Sequence, residues 1–285
     1  QLNEQGLMQK QNWREAQIAL PSFDWSQMRR STLEAPRWVH FGEGNIFRGF
    51  IAGLQQRLLE KGLESTGILA AETFDDGIID QIDHPHDSMT LLVTLRPDGS
   101  TDKEVIASVA QGLKASPRFG ADWRKLCAAF ENPSLQMVSF TITEKGYALR
   151  NMAGQLLETV RRDLQNGPEQ PSHAMSVAAA LLFRRFQAGA RPIALVSMDN
   201  CSHNGEKLRS SVLEIARGWQ ENGFVPAKYT AWLEEESQVS FPWTMIDKIT
   251  PRPSETIARQ LEELGLADMA PVVTEKGTYI APFVN

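Results

Sequence analysis

Trp38-Val39-His40-Phe41-Gly42-Glu43-Gly44-Asn45-Ile46-Phe47-Arg48-Gly49-Phe50 is the stretch from which the fold can be read. Its aromatic and β-branched start, Arg37 to Phe41, predicts a short strand. Gly42 and Gly44 follow at once. Apolar residues then recur at Phe47, Phe50, Ile51, Leu54 and Leu58, one face of an amphipathic helix beginning near Asn45. Gly62 stands where a helix C-cap glycine belongs. A strand, a glycine turn and a helix N-terminus in succession aim backbone N–H groups and the positive end of the helix dipole at one point. That point suits a pyrophosphate.

The pattern is G-x-G-N-x-x-R-G, so the third glycine of the usual G-x-G-x-x-G fingerprint is displaced. Gly42, Gly44, Asn45, Phe47 and Arg48 are the expected cradle, with the Arg48 guanidinium near its mouth, able to pair with phosphate oxygens. A glycine pair alone would serve a structural turn equally well. What tips the reading is a second apolar run, Gly67 to Ala71, ending in Glu72 about 20 residues beyond the glycines, where an acidic side chain reaches the adenosine ribose hydroxyls. Thr73-Phe74-Asp75-Asp76 follows without an arginine for a 2′-phosphate, which favours NAD over NADP.

Outward from this unit, strands and helices alternate without internal repeats. Residues 1–35 read as a polar N-terminal arm, with Leu20, Phe23, Trp25 and Met28 its sizeable apolar cluster. Asp83-His84-Pro85-His86-Asp87 reads as a solvated loop, since its spacing fits no common zinc pattern, and no metal is expected. Met89–Leu95 and Val105–Leu113 are strand candidates forming an inserted hairpin. Gln136–Thr143 and Pro192–Met198 are buried strands, and Thr244–Ile249 and Pro271–Thr274 late ones. Helices are expected over Arg118–Phe130, Met152–Leu164, His173–Gln187 (with Ser172 as N-cap), Asn204–Asn222, from Ala227 to Glu234-Glu235-Glu236, and Glu255–Leu264. The fold class is α/β, a doubly wound, mostly parallel Rossmann sheet occupying residues 36–285.

A net charge of −6 argues against a nucleic-acid surface, and no apolar run is long enough for a membrane span. Cys127 and Cys201 are too few and too far apart for a disulfide framework, so a reducing, cytoplasmic setting is expected.

Four segments resemble one family, the polyol-specific long-chain dehydrogenases or mannitol dehydrogenase family. They are His40 to Gly49, Thr141-Ile142-Thr143-Glu144-Lys145-Gly146-Tyr147, Ser197-Met198-Asp199-Asn200 with Asn204-Gly205, and Phe241 to Pro251. Ala71 to Asp76 and Lys145-Gly146-Tyr147 look closest to the fructuronate and tagaturonate reductases, which act on mannonate and altronate. The resemblance implies an NAD-dependent enzyme working on a small sugar acid or polyol. It implies Asn200 as the oxyanion donor, Asp247 orienting substrate, Glu144 on the proton path with burial raising its pKa, and Thr143 at the cofactor. The family's catalytic lysine sits in a K-x4-N-x2-H helix of a second domain, and that pattern is missing from these 285 residues. Lys145, Lys248 and His203 are not taken as substitutes. A mannitol or other free-polyol dehydrogenase is the second expectation, and a dinucleotide-binding module without catalysis the third.

Overall fold

The computed structural model describes residues 1–285. The chain opens with α1 (Glu4–Leu7), α2 (Lys10–Glu15), β1 (Ile18–Ala19), α3 (Trp25–Glu34) and β2 (Trp38–Phe41). A π-helical turn, Phe47–Ile51, runs into α4 (Ala52–Glu60), followed by β3 (Ile68–Glu72). After a second π turn, Ile79–Asp83, and a 3-10 turn, His84–His86, come β4 (Thr90–Leu95), β5 (Thr101–Ile106) and β6 (Val109–Lys114). Next are α5 (Gly120–Glu131), β7 (Met137–Phe140), α6 (Thr143–Tyr147), α7 (Glu158–Asn166), α8 (Ala174–Gln187) and β8 (Ile193–Ser197). The last part holds α9 (Asn204–Glu221), α10 (Ala227–Glu234), β9 (Val239–Ser240), α11 (Glu255–Glu263), β10 (Val272–Val273), β11 (Tyr279–Ile280) and β12 (Phe283–Val284). The architecture is the expected mostly parallel α/β sheet with helices on both sides. No helix is long and apolar enough to cross a membrane.

The chain divides into two compact units, residues 1–34, 43–112 and 248–285 in one and 35–42 and 113–247 in the other. In the second unit β2, β7, β8 and β9 lie side by side, all parallel, with Phe41 opposite Phe140 and Phe140 opposite Ser197. Parallel strands buried on both faces should be near-continuously apolar, and Ile193-Ala194-Leu195-Val196 is. Arg185, buried on α8, staples the strand entrances. Its guanidinium donates to the carbonyls of Phe130, Asn132, Leu135, Arg191 and Pro192. Five carbonyl partners satisfy every N–H of an ion that would otherwise be costly to bury.

In the first unit the expected hairpin is present, with β4 antiparallel to β5 around the Arg96–Ser100 turn. It is not a free insertion: β12 adds parallel to β4 and β1 parallel to β5, making a four-stranded sheet. The predicted Val105–Leu113 strand is two strands, broken at Ala107-Ser108. There the buried Gln56 side chain takes ladder positions, donating to Val105 O (2.9 Å) and accepting from Ala107 N–H (2.8 Å). Nor are the first 34 residues a polar arm. Leu2, Leu7 and Trp13 are core residues, packed with Leu91, Val105, Leu261 and Phe283. The turn at residues 83–87 is likewise not a solvated loop, since Asp83 and His86 are buried and His86 Nδ1 lies 3.1 Å from Leu2 O.

The helix after the glycine turn departs from its predicted face for a definite reason. Ala52 N–H bonds to Phe47 O, five residues back, so the π turn inserts one residue. One residue rotates everything downstream by about 100°. Phe47 and Ile51 are buried as expected, but burial then passes to Ala52, Gln55 and Leu59 while Leu54 and Leu58 are exposed. Gly62, at φ +65°, caps the helix, with Leu63 N–H bonded to Leu58 O at 2.9 Å.

Three smaller departures concern ends. His173, not Ser172, caps α8, its ring accepting from Met175 N–H at 3.2 Å. β7 stops at Phe140, so Glu144 lies on α6 rather than at a strand end. Residues 244–249 form no strand, and Trp243, Met245 and Ile249 are exposed.

Candidate functional site

β2 delivers the chain to Gly42, and a buried polar ladder fixes that end of the strand. His40 Nδ1 lies 2.6 Å from Ser139 Oγ and its Nε2 2.9 Å from Thr141 Oγ1, which in turn donates to Gly42 O at 3.2 Å. Burial lowers the His40 pKa to about 3, so the ring is a neutral strand-to-strand connector. Gly42 itself has φ +103°. A Cβ there would fall 2.9 Å from the Thr141 carbonyl carbon and closer still to its oxygen. Gly44 is the opposite case: a Cβ there would meet nothing within 4 Å. The first glycine is required by the fold, and the second leaves open space above the start of a helix, where Arg48 N–H bonds to Gly44 O.

Around this turn the predicted residues divide. Asn45 is partly exposed at the helix start and accepts from Arg48 through Oδ1 at 2.8 Å. The Phe47 ring is wholly buried, so it serves the core and not a ligand. Arg48 is not at the mouth. It is only 4% exposed, and its two terminal nitrogens donate to Ala281 O and Asn45 Oδ1, both at 2.8 Å, while its buried Nε has no partner. Burial lowers its pKa to about 10, against the opposing pull of Glu43 and Asp83.

Glu72 ends β3 as expected, but its carboxylate turns inward at 7% exposure. Oε2 accepts from Glu43 N–H (3.0 Å), and Oε1 from Phe74 N–H (2.8 Å) and Asp75 N–H (3.2 Å). It therefore ties the glycine turn to the turn after β3. Burial pushes its pKa up while those three N–H groups pull it back. Thr274 Oγ1 holds the buried Asp75 at 2.6 Å, and Lys276 donates to Phe74 O. That ammonium was invisible locally, because it arrives from 202 residues away.

Sequence reasoning also missed a buried acid pair. Glu43, inside the glycine turn, and Asp83 converge where Gly112 lacks a side chain, and a Cβ on Gly112 would overlap the Asp83 carboxyl and sit 2.7 Å from Glu43 Oε1. Burial, then Asp83 and Glu72, raise Glu43 well above the carboxylate range. Burial raises Asp83 to about 6.

The second unit contributes the turns after β7 and β8. Thr143 is exposed with φ +61°, a left-handed conformation that costs a β-branched residue about 1–3 kcal/mol. Glu144 is not buried. Its side chain is 67% exposed and paired with Lys207, so the burial expected from the sequence is not found. Asn200 is exposed just past β8, and Asp247 is exposed on the irregular 241–250 segment.

Asn204, on which the sequence places no chemistry, joins these segments. Its buried Nδ2 donates to Ser197 O, Asp199 O and Thr244 O and Oγ1, while its Oδ1 accepts from Thr244 N–H at 3.1 Å. Gly205 beside it must lack a side chain, since a Cβ would lie 2.6 Å from Phe241 O and 2.7 Å from Pro242 O. His203 stacks on Trp243 with ring centroids 4.4 Å apart. The Asn204-Gly205 pair thus lashes the segment leading to Asp247 against the strand end leading to Asn200.

Comparison with known proteins matches residues 36–280 to the mannitol dehydrogenase Rossmann domain. The chain is 48% identical over 284 residues to the D-mannonate oxidoreductase of Thermotoga maritima, covering all of this chain and 52% of that protein. It is 30% identical to the polyol:NADP oxidoreductase of Gluconobacter oxydans over 91% of this chain and 51% of that one. Among solved structures, the ternary complex of Pseudomonas fluorescens mannitol 2-dehydrogenase with NAD and D-mannitol superposes with a TM-score of 0.76 at 26% identity, covering 99% of this chain and 53% of that one. The chain spans about half the length of the curated relatives it matches.

Proposed function

We propose, from the premise that this chain belongs to the mannitol dehydrogenase family, that it is the dinucleotide-binding part of an NAD-dependent oxidoreductase. That enzyme interconverts a sugar acid of the mannonate or altronate type with its keto form. The observation that carries the reading is the contrast between the two glycines. Gly42 is locked by the Thr141 carbonyl, whereas Gly44 keeps clear the space a phosphate needs. An open approach to the backbone at a helix start, free of any Cβ, is what a closely approaching pyrophosphate requires.

In this reading the backbone from Gly42 to Asn45 holds the pyrophosphate, Glu72 shapes the ribose end by tying that turn to the turn after β3, and Thr143 stands at the nicotinamide end. Bound NAD supplies the hydride acceptor. The remaining work falls to side chains. As hydride leaves the alcohol carbon, charge builds on its oxygen, and the exposed Asn200 amide donates a hydrogen bond there. Asp247 orients the substrate hydroxyls. Glu144, exposed and paired with Lys207, is taken as a proton-path residue on family resemblance alone. By family resemblance the general base is a lysine of the full-length enzyme.

The 48% identity to a D-mannonate oxidoreductase favours a sugar acid over a free polyol. NAD is favoured over NADP because the turn after β3 is acidic, carrying Glu72, Asp75 and Asp76, and the cation that reaches it, Lys276, is engaged by Phe74 O. The two free cysteines, Cys127 and Cys201, fit a reducing cytoplasmic setting. The full native protein should oxidise mannonate or altronate with NAD at a higher kcat/KM than mannitol. The reverse order would move the substrate to a free polyol.

A further inference from the structure

Asp199 separates the end of β8 from Asn200, and its half-buried carboxylate is fully engaged. Oδ2 accepts from Ile142 N–H at 3.0 Å and from the Tyr147 hydroxyl at 2.5 Å, and Oδ1 accepts from Thr143 N–H at 3.0 Å. Two successive N–H groups converging on one carboxylate form a clamp across the turn after β7. The clamp has a strain to hold, because Thr143 sits at φ +61° and branching at Cβ disfavours that region. Tyr147 closes the arrangement from α6, its hydroxyl also 2.8 Å from Ser197 Oγ. Burial and the neighbouring Asp199 keep the phenol protonated, so it stays a donor. One side chain therefore joins the turn bearing Thr143 to the turn bearing Asn200.

We propose that Asp199 is a positioning residue for the nicotinamide end of the cofactor site, holding Thr143 in its left-handed turn and in fixed register with Asn200. The inference rests on the dinucleotide reading above and adds to it a group that touches neither cofactor nor substrate. Three donors face Asp199, and an asparagine would turn its own NH2 toward at least one of them. In the rotamer that keeps Ile142 N–H and the Tyr147 hydroxyl on the oxygen, the NH2 faces Thr143 N–H, so that tether is lost and Thr143 is free to relax to negative φ.

NADH and ADP-ribose share adenosine and pyrophosphate, and only NADH carries nicotinamide, so their ratio separates positioning from general damage. In Asp199→Asn, NADH affinity should fall by about tenfold or more, the scale of losing a charge-assisted hydrogen bond, while ADP-ribose affinity stays within about twofold. Amide exchange at Thr143 in the unliganded variant should quicken by about tenfold or more. Equal weakening toward both ligands, unchanged NADH affinity, or unchanged exchange at the Thr143 amide would each overturn the proposal. Wild-type chain that binds neither ligand would overturn the dinucleotide reading and this role with it; the exchange comparison, which needs no ligand, tells the two failures apart. Should Asp199→Asn not fold, Tyr147→Phe carries the same test with one donor removed and a smaller shift, about two- to fivefold, in the same ratio.

Discussion

Gly42→Ala and Gly44→Ala are the same chemical change two residues apart, and the structure predicts opposite consequences. At Gly42 the new methyl meets the Thr141 carbonyl at the end of β7, backbone that cannot step aside, while φ is held at +103°. A left-handed L-residue costs about 1–2 kcal/mol. Overpacking against a fixed neighbour adds about 1–3 kcal/mol. The expected loss is about 2–5 kcal/mol, read as a lower urea midpoint at unchanged slope. At Gly44 the methyl enters empty space, so the midpoint should move by less than about 0.5 kcal/mol. NADH binding should nevertheless weaken by about ten- to a hundredfold. A methyl that holds the pyrophosphate off the turn forfeits at least one charge-assisted bond of about 1.5–3 kcal/mol. Urea unfolding and fluorescence titration on the two variants form the assay. Normal NADH affinity in stable Gly44→Ala protein would refute the phosphate-cradle assignment, and an undisturbed Gly42→Ala would refute the locked turn.

Glu72→Ala strands the Glu43, Phe74 and Asp75 N–H groups, so it should cost about 1–3 kcal/mol of stability and narrow the difference between NADH and NADPH affinity; an unchanged cofactor ratio would remove Glu72 from the ribose site. Glu43 and Asp83 both have raised pKa values, so the folded chain keeps protons that the unfolded chain releases. Stability should therefore fall as pH rises from the ordinary carboxylate range through about 6 for Asp83, and beyond it for Glu43. Glu43→Gln removes one of the two acids and its charge beside the other, so urea midpoints at about pH 5 and pH 8 should lie closer together than in wild type; an equal gap would contradict the pairing. Asn200→Ala in the full native protein should lower kcat by about 10²–10³-fold, the scale of one oxyanion donor, and barely alter unfolding because the residue is exposed. A kcat within about twofold of wild type would return Asn200 to the role of a polar turn residue.

What was legible in the sequence follows its range. Alternation of strands and helices, the glycine turn and the ends of β3 and β8 are local signals, and they appear where expected. The helix face failed after Ile51 because periodicity assumes 3.6 residues per turn, and one π turn breaks that assumption. Gly49 lies at that turn, where a Cβ would approach Val284 Cγ1 at 2.8 Å, a contact 235 residues away in sequence. Arg48 and Glu72 were read at the right positions, with side chains assumed to reach outward. Their inward turn depends on Ala281 O and on the amides of Glu43, Phe74 and Asp75, whose positions no local pattern encodes. Leu2, Leu7 and Trp13 were lost among polar neighbours, because short helices of four and six residues offer too little periodicity. Asn204-Gly205 was visible as a motif without a reason. The reason is the passage of residues 241–244 across the start of α9.

If the Gly42–Asn45 turn and Glu72 make a site for NAD, the chain must bind the dinucleotide by itself. Direct titration of the 285-residue chain with NADH and then NADPH, following intrinsic fluorescence, tests it most simply. Saturable NADH binding is expected, with NADPH weaker by about tenfold or more, about 1.4 kcal/mol, since a phosphate brought to the acidic turn after β3 meets like charge. Absence of NADH binding, or NADPH binding as tightly as NADH, would contradict it.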